Sequence, residues 1–281
     1  MRGSEDALTT EIDREAARGA ATRIDGVSIS FGSYQAVNDI SLEVTAGEFL
    51  CLLGPSGCGK STLLSALAGF TPATTGAISV DGRSVTGPSP ERGMVFQNSD
   101  ALFDWLTVRQ NVAFGPRMRG MSRARQAALA DEYLGLVGLR RFADKFPGQL
   151  SGGMRQRVQI ARVLANQPRI VLMDEPFGAL DAQTRQVMQE EMDRIWRESG
   201  CTVVFVTHDI DEAIILADRI AVMTAGPAAS IKNIYAVDLP RPRDETSPDA
   251  ITLYQKLRQD IGQEVRAALR EQGLATGEED G

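Results

Sequence analysis

One nine-residue segment constrains this chain more than any other feature. Residues 54–62 read GPSGCGKST, which fits the pattern G-x-x-x-x-G-K-[ST], and they lie between an apolar run at 48–53 and a helical pattern at 60–68. Glycines in such a loop let backbone N–H groups converge on phosphate oxygens, and the positive end of the helix dipole faces the same point. The alternative is a glycine-rich turn with an exposed lysine. The full spacing between strand and helix favours a phosphate-binding loop.

This loop defines candidate ligands for a nucleotide and its metal ion. The ammonium of Lys60 would reach the β- and γ-phosphates, and the hydroxyl of Ser61 would hold Mg²⁺. The candidate cofactor-binding residues of the loop are Gly54, Pro55, Ser56, Gly57, Cys58, Gly59, Lys60, Ser61 and Thr62.

Apolar runs alternate with helical patterns along most of the chain. The runs are typical of strands buried on both faces of a parallel sheet, and their alternation with helices predicts an α/β fold. A block of helical patterns between about residues 108 and 164 interrupts the alternation. The strand runs lie at 48–53, 94–96, 170–173 and 202–206, and the helical patterns at 60–68 and 182–198.

Both ends of the chain differ from its middle. Residues 1–21 are polar and acidic, which predicts a flexible, solvated tail with no secretory signal. We expect one folded domain at 22–237, followed at 238–281 by a Pro/Arg/Asp-rich linker and a C-terminal helix. One apolar face of that helix would carry Ile251, Tyr254, Leu257, Ile261 and Val265.

Charge and composition argue against several function classes. The chain has 30 Lys and Arg against 37 Asp and Glu, a net charge of −7, which argues against a protein that grips nucleic acid through a basic face. No stretch is long and apolar enough to predict a membrane helix. Cys51, Cys58 and Cys201 lack the spacing of a zinc site or a disulfide framework. We therefore expect a cytosolic protein.

Four polar side chains follow predicted strands. Asp174 and Glu175 come directly after the run at 170–173, Gln97 follows another strand, and His208 follows a third. In open α/β sheets the carboxyl ends of the strands form the ligand-binding edge. There Asp174 and Gln97 would contact Mg²⁺, Gln97 and Glu175 would act on the attacking water, and His208 would bond the γ-phosphate. The alternatives are carboxylates that cap the next turn, a surface glutamine and a structural histidine.

A second glycine-rich segment opens another predicted helix. Ser151, Gly152 and Gly153 lie in the sequence LSGGM at 150–154, and they would form a second anion site at a helix N-terminus. The same letters also fit an ordinary N-cap. Because one nucleotide needs one phosphate loop, a second such helix end suggests a site that another subunit completes.

These motifs, in this order, resemble the ATP-binding subunits of ABC transporters over nearly the whole span 22–237. In that family they correspond to the Walker A loop, Q-loop, signature, Walker B strand, D-loop and H-loop. Phe31 matches the aromatic residue that stacks on adenine, and Tyr34 is a weaker candidate; Met154 stands where the signature usually has Gln. The likeness rests on GPSGCGKST, Gln97, LSGGM, IVLMDE at 170–175, Ala179-Leu180-Asp181 and His208.

The resemblance implies a fold and an assembly. The fold would be a P-loop NTPase (RecA-like) parallel sheet core with an N-terminal antiparallel β subdomain and an α-helical signature subdomain inserted at about 98–165. The protein would be an ATPase that forms a head-to-tail homodimer. ATP and Mg²⁺ would lie between Lys60 of one chain and Ser151, Gly152 and Gly153 of the other, with Asp181 among the cofactor-binding residues. Dimer closure would drive separate permease subunits at the cytoplasmic face of the prokaryotic inner membrane.

Three segments, at 87–115, 174–185 and 207–220, are similar to the importer branch that handles taurine, aliphatic sulfonates and nitrate. The match is closest to taurine-type subunits, although Asp104 replaces the usual Pro. We therefore expect an importer subunit for a small anionic or zwitterionic solute, with a solute-binding protein as an indirect partner and no nucleic acid.

Two other functions fit the motifs less well. A soluble ABC ATPase acting on the ribosome or DNA usually has two tandem ATPase units or a long coiled-coil insertion, and this chain shows one unit. The third possibility is a regulatory protein that binds ATP without hydrolysing it. The presence of both candidate hydrolytic residues, Glu175 and His208, argues against it.

Overall fold

A computed structural model describes residues 19–97 and 101–271 of the chain. The described residues fall into two compact units: a flanking unit of residues 21–87 and 204–271, and a middle unit of residues 19–20 and 88–203. The strands are β1 (Thr22–Phe31), β2 (Tyr34–Val44), β3 (Phe49–Leu53), β4 (Thr75–Val80), β5 (Arg83–Ser84), β6 (Arg92–Val95), β7 (Ile170–Asp174), β8 (Thr202–Thr207), β9 (Arg219–Met223) and β10 (Ile231–Ala236). The helices are α1 (Lys60–Ala68), α2 (Val108–Val112), α3 (Phe114–Met118), α4 (Arg123–Leu136), α5 (Gly152–Leu164), α6 (Ala182–Ser199), α7 (Ile210–Leu216) and α8 (Pro248–Glu271).

The flanking unit contains an antiparallel sheet and a largely parallel one. The antiparallel sheet has the order β2-β1-β4-β5, with β1 paired to both β2 and β4. In the other sheet the order is β10-β9-β3-β8, where β3 runs parallel to β9 and β10 is antiparallel to it. Every residue of β3 is buried, as the continuous run FLCLL predicts for a strand covered on both faces. Its carboxyl end leads into the segment 54–62.

The middle unit pairs β6 with β7 in parallel and surrounds them with helices. Helix α5 contacts α2, α4 and β6, so it lies at the centre of the unit. Its buried residues include Val158, Gln159, Ile160 and Ala161 in succession, as expected of a helix that is covered on more than one side. At Gly93 in β6 a Cβ atom would come within 2.6 Å of Val163, so this close approach of helix and strand depends on glycine.

The C-terminal helix packs through a different face from the one the sequence predicted. Leu257 is buried, but Ile251 and Val265 are exposed. The packed face includes Asp260 and Glu264, whose carboxylates bond to side chains of β10 and to the Ala225 N–H in the loop after β9. An apolar period alone could not predict this rotation, since two charged residues take part in the contact.

The amino end of the described chain is packed rather than solvated. Residues 1–18 of the predicted tail lie outside the described residues, but Ala20 is buried and its carbonyl accepts a 2.8 Å hydrogen bond from Thr202 Oγ1. The bounds of the domains predicted from the sequence stay a prediction. Over the part of the chain that the structure describes, no helix is both long enough and apolar enough to cross a membrane.

Candidate nucleotide site

In the flanking unit, the segment 54–62 forms a tight loop after β3 and continues into the first turn of α1. Gly57 and Gly59 have φ values of 81° and 84°, in the left-handed region that side chains other than glycine rarely adopt. At Gly59 a Cβ atom would also lie 2.9 Å from the Ala36 carbonyl oxygen. Both glycines are therefore required by the backbone, as expected for a loop that turns its N–H groups inward.

Helix α1 begins without a side-chain cap. Its N-cap residue is Gly59, whereas α2, α4, α5, α6 and α7 each begin with a side chain that accepts a first-turn N–H. The first turn of any helix has N–H groups with no partner inside the helix. An anion is the natural partner where no side chain caps, because the helix dipole attracts it to the same place.

Lys60 folds back over this loop. Its side chain is only 4% exposed, and Nζ donates hydrogen bonds to the carbonyl oxygens of Gly54 at 2.7 Å and Pro55 at 2.8 Å. Cys58 Sγ lies 3.7 Å from the same ammonium. These partners carry no full negative charge, so the buried ammonium fits phosphate oxygens as its counter-charge.

Two cysteines lie close to Lys60. Burial raises the pKa of the Cys58 thiol, and the neighbouring Lys60 lowers it to a smaller extent. Burial likewise raises the pKa of Cys51 in β3, and the negative charge of Glu212 adds to the effect. Both thiols are therefore neutral at physiological pH and contribute packing rather than charge.

Phe31 and Tyr34 face each other across the β1–β2 turn. They are cross-strand partners, and they are 54% and 49% exposed. Each ring offers an accessible flat face on which a base could stack. The structure leaves both as candidates for stacking on adenine.

His208 follows β8 and is exposed, and its two sequence neighbours are tightly held. Thr207 Oγ1 donates a 2.6 Å bond to the buried carboxylate of Glu212, and it accepts the Asp209 N–H at 3.0 Å. Asp209 in turn caps α7. Sequence reasoning missed Glu212, although an acidic residue within the apolar pattern of a short helix was a signal that could have been used.

The middle unit brings together two of the predicted catalytic residues. Gln97 Nε2 donates to Glu175 Oε2 at 3.1 Å, just beyond the end of β7. Asp174, the last residue of that strand, is 8% exposed. Glu175 has a φ of 45°, a strained value for a residue with a side chain, and such strain is concentrated at functional sites.

A glutamine on α5 supports this arrangement. Gln156 is buried, and its Nε2 donates to the Phe96 carbonyl oxygen at 3.1 Å, immediately before Gln97. Helix α5 therefore holds the strand end from which Gln97 extends. The sequence signal for it is a glutamine at a position where the helical pattern expects an apolar residue.

The second glycine-rich segment has the geometry of an N-cap. Ser151 Oγ accepts the Met154 N–H at 3.3 Å, so this bond does not depend on the unusual Met154 side chain. Gly152 has open space where a Cβ would be, whereas a Cβ at Gly153 would lie 3.1 Å from Leu180. The structure thus shows the capping role, and it leaves Ser151 and Gly152 accessible for a further ligand.

Asp181, next to Leu180, caps α6. Its carboxylate accepts the Thr184 N–H at 3.0 Å, and this backbone hydrogen bond lowers the pKa of Asp181 below its usual range. Ser61 and the loop belong to the flanking unit, and Asp174, Gln97 and the segment 151–153 belong to the middle unit. Asp174 carries a carboxylate and Ser61 a hydroxyl group, and both are oxygen donors of the kind that Mg²⁺ prefers.

Comparisons with known proteins agree with these motifs. The ABC transporter family model matches residues 37–178. An uncharacterised ABC transporter ATP-binding protein of Methanocaldococcus jannaschii is 48% identical over 236 residues, covering 84% of this chain and 88% of the relative. The nitrate import ATP-binding protein NrtC of Synechococcus elongatus is 49% identical over 82% of this chain, and the bicarbonate transport ATP-binding protein CmpC of the same organism is 49% identical over 81%. This chain spans only 35% and 34% of those two proteins' length.

Solved structures show the same fold. A dimeric ATP-binding cassette in a post-hydrolysis state, bound to ADP and Pi, superposes with a TM-score of 0.69 at 32% identity, covering 77% of this chain and 98% of the cassette. This similarity confirms the α/β P-loop fold predicted from the sequence. The chain belongs to the ABC transporter family, as an ATP-binding protein and an ATPase.

Proposed function

We propose that this chain is the energy-coupling ATPase of an importer for a small anionic or zwitterionic solute. The observation that carries the proposal for hydrolysis is the Gln97–Glu175 contact at the end of β7, because it orients a carboxylate that can accept a proton from water. The 49% identity to nitrate and bicarbonate import proteins supports an importer. Taurine, aliphatic sulfonates and nitrate are the solutes predicted from the sequence, and bicarbonate is added by the name of one relative.

The residues divide the work of hydrolysis between them. The 54–62 loop and Lys60 would bind the β- and γ-phosphates, and Phe31 or Tyr34 would stack on adenine. Mg²⁺, held by Ser61 and by Asp174 and Gln97, would neutralise charge on the phosphates. Glu175 would take the proton of the attacking water, and His208 would hydrogen-bond the γ-phosphate as charge develops.

The assembly would be a homodimer in which Ser151, Gly152 and Asp181 of one chain act on the nucleotide held by the other. The dimeric state of the related cassette structure supports this. In α5 the Ser151 side chain already accepts one of the first-turn N–H groups. Such a helix end is better suited to an added contact with a nucleotide held by another chain than to holding the nucleotide itself. Permease subunits in the membrane would be the partners that ATP-driven closure moves.

Glu175→Gln tests the catalytic assignment. The amide keeps the size of the side chain but cannot accept the proton, so turnover should fall about 100-fold or more while ATP affinity changes little. The variant should also accumulate as an ATP-bound dimer in size-exclusion chromatography. Gln186→Ala, an exposed change on α6, is the control and should behave as wild type. Unchanged turnover in Glu175→Gln would assign the base to another residue.

Affinity purification from detergent-solubilised native membranes tests the importer assignment. We expect a multi-span permease to co-purify, and its companion solute-binding protein can then be titrated with nitrate, bicarbonate, taurine and an alkyl sulfonate. Recovery of ribosomal or DNA-associated proteins with no permease would favour the soluble ATPase instead.

A further inference from the structure

The loop that joins β9 to β10 contacts two parts of the candidate nucleotide site. This segment, residues 224–230 (the 224–230 loop), closes on itself, because Thr224 N donates to the Ser230 carbonyl oxygen and Ser230 N donates to Thr224 Oγ1, each at 2.9 Å. It is therefore a small structured unit whose position depends on what holds it.

The first contact is with the phosphate-binding loop. Gly226 lies so close to it that a Cβ atom would be 2.9 Å from the Gly57 carbonyl oxygen and 3.5 Å from the Cys58 Cα. Met223, the last residue of β9, is equally close, because its carbonyl oxygen would lie 3.2 Å from a Cβ atom at Gly54. The 224–230 loop thus packs backbone to backbone against the segment that would bind phosphate.

The second contact is with the strand that begins at Tyr34. Ala228 N donates to the Gln35 carbonyl oxygen at 2.7 Å, and Asn38 N donates to the Ala229 carbonyl oxygen at 2.9 Å. Ala36, between them, is the residue whose carbonyl approaches Gly59. One short loop is thereby bonded to the strand carrying a candidate adenine-stacking residue and packed on the phosphate loop.

Helix α8 holds the 224–230 loop from the other side. Ala225 N donates to Glu264 Oε2 at 2.9 Å, while Glu264 Oε1 accepts an ion pair from Lys232 Nζ at 2.8 Å. The Glu264 side chain is 14% exposed, so water competes little for these bonds. A carboxylate so placed fixes the residue that precedes Gly226.

We propose that Glu264 is a positioning residue for nucleotide binding, acting through the 224–230 loop on the phosphate-binding loop. The inference rests on the proposed role of residues 54–62 in binding ATP. It makes the C-terminal helix a support of the nucleotide site, so a partner or modification that displaces α8 would weaken ATP binding. The alternative is that Glu264 only docks the helix.

Three variants separate these explanations. Glu264→Ala removes both bonds, Glu264→Gln keeps an oxygen that can accept the Ala225 N–H, and Gln259→Ala changes an exposed residue of the same helix. The full-length variants are titrated with a fluorescent, non-hydrolysable ATP analogue, and turnover is measured at saturating ATP. We expect Glu264→Ala to bind about fivefold more weakly, as loss of the hydrogen bond to the Ala225 N–H allows, with kcat nearly unchanged.

The conservative variant distinguishes positioning from docking. Glu264→Gln should bind within about twofold of wild type, and Gln259→Ala should match wild type. In hydrogen–deuterium exchange, amides of residues 54–60 should exchange faster in Glu264→Ala only. Wild-type affinity and exchange in a folded Glu264→Ala would overturn the proposal.

Gly226→Ala gives an independent test should Glu264→Ala fail to fold. The added methyl group would press on the Gly57 carbonyl, so analogue affinity should fall without any change in α8. Lys60→Ala, measured in parallel, distinguishes failure of the proposed function of the loop from failure of the proposed role of Glu264. If Lys60→Ala binds the analogue normally, the proposed function of the loop fails; if only Lys60→Ala loses binding, the role of Glu264 alone is wrong.

Discussion

Two helices of this protein begin with glycine-rich sequences, and their first turns differ. Helix α1 begins after Gly59 in the left-handed region, with no side-chain cap and the Lys60 ammonium folded over the preceding loop. Helix α5 begins after Ser151 in an extended conformation, and the serine hydroxyl accepts the Met154 N–H. Similar glycine-rich sequences thus form an uncapped helix start behind a folded loop in α1 and a helix start capped by its own serine in α5.

The difference indicates unequal roles. A cradle with an uncapped helix and a buried ammonium can bind phosphate within one chain. An accessible helix end with a 3.3 Å cap bond, at the long limit for a hydrogen bond, can add a contact to a nucleotide that something else holds. We therefore expect mutation to separate the two motifs, because the segment 54–62 should control binding and the segment 151–153 should control only turnover.

The largest effect should come from Lys60→Ala. Removing the ammonium should abolish detectable ATP binding and lower turnover by about 1000-fold, because this charge would face the phosphates in the proposed site. Isothermal titration with an ATP analogue measures the first, and phosphate release measures the second. The melting temperature is the control for folding, since Lys60 also bonds two loop carbonyls. Normal ATP binding by Lys60→Ala would show that the loop at 54–62 is not the primary phosphate-binding motif.

Gly152→Asp should lower turnover by about 100-fold and leave binding to the isolated chain unchanged. The position has room for a side chain, and a carboxylate at a helix N-terminus stabilises its own helix while repelling phosphate. A melting temperature equal to or above that of wild type, together with lost turnover, would separate function from folding. Weaker binding by the monomer would place α5 in the primary site.

Ser151→Ala should have a moderate effect on both stability and turnover. Loss of the cap should lower the free energy of unfolding by about 1 kcal/mol, and loss of the hydroxyl should lower turnover by about tenfold. Urea titration measures the first and phosphate release the second. Ser122→Ala, which removes the cap of α4, is the matched control and should lose stability only. Equal turnover in the two variants would leave Ser151 as a cap and nothing more.

The smallest effect is a difference in thiol reactivity. Burial raises the pKa of the Cys58 thiol above its ordinary value of 9.0, so iodoacetamide should modify this thiol slowly at pH 7. The reaction should become faster as the pH rises above that value. A thiol introduced by Gly152→Cys, at an exposed helix N-terminus, should react about tenfold faster at pH 7. Mass spectrometry of the peptides measures both rates. A faster reaction at Cys58 would show that the loop is open rather than closed around Lys60.

Much of the fold could be predicted because its signals are local. The run FLCLL specifies a buried strand, and GPSGCGKST specifies the turn that follows it. The pairing of Gln97 with Glu175 follows from the rule that parallel strands end at one edge. These inferences need only periodicity and the chirality of the backbone.

The parts that escaped prediction depend on contacts between distant residues. Glu264 reaches Ala225 across 39 positions, and Gln156 reaches Phe96 across 60. No local pattern marks a carboxylate or an amide that will bond to a remote backbone group. The same reason explains why the packed face of α8 differed from its apolar stripe.

The most direct test of the account mixes two inactive chains. A Lys60→Ala chain has an intact α5 end, and a Gly152→Asp chain has an intact loop. If one chain's loop works with the other chain's α5, a mixed dimer contains one complete site, and the mixture should regain up to about a quarter of wild-type turnover. If both motifs act within one chain, no complete site exists, and a mixture as inactive as either variant alone would contradict the account.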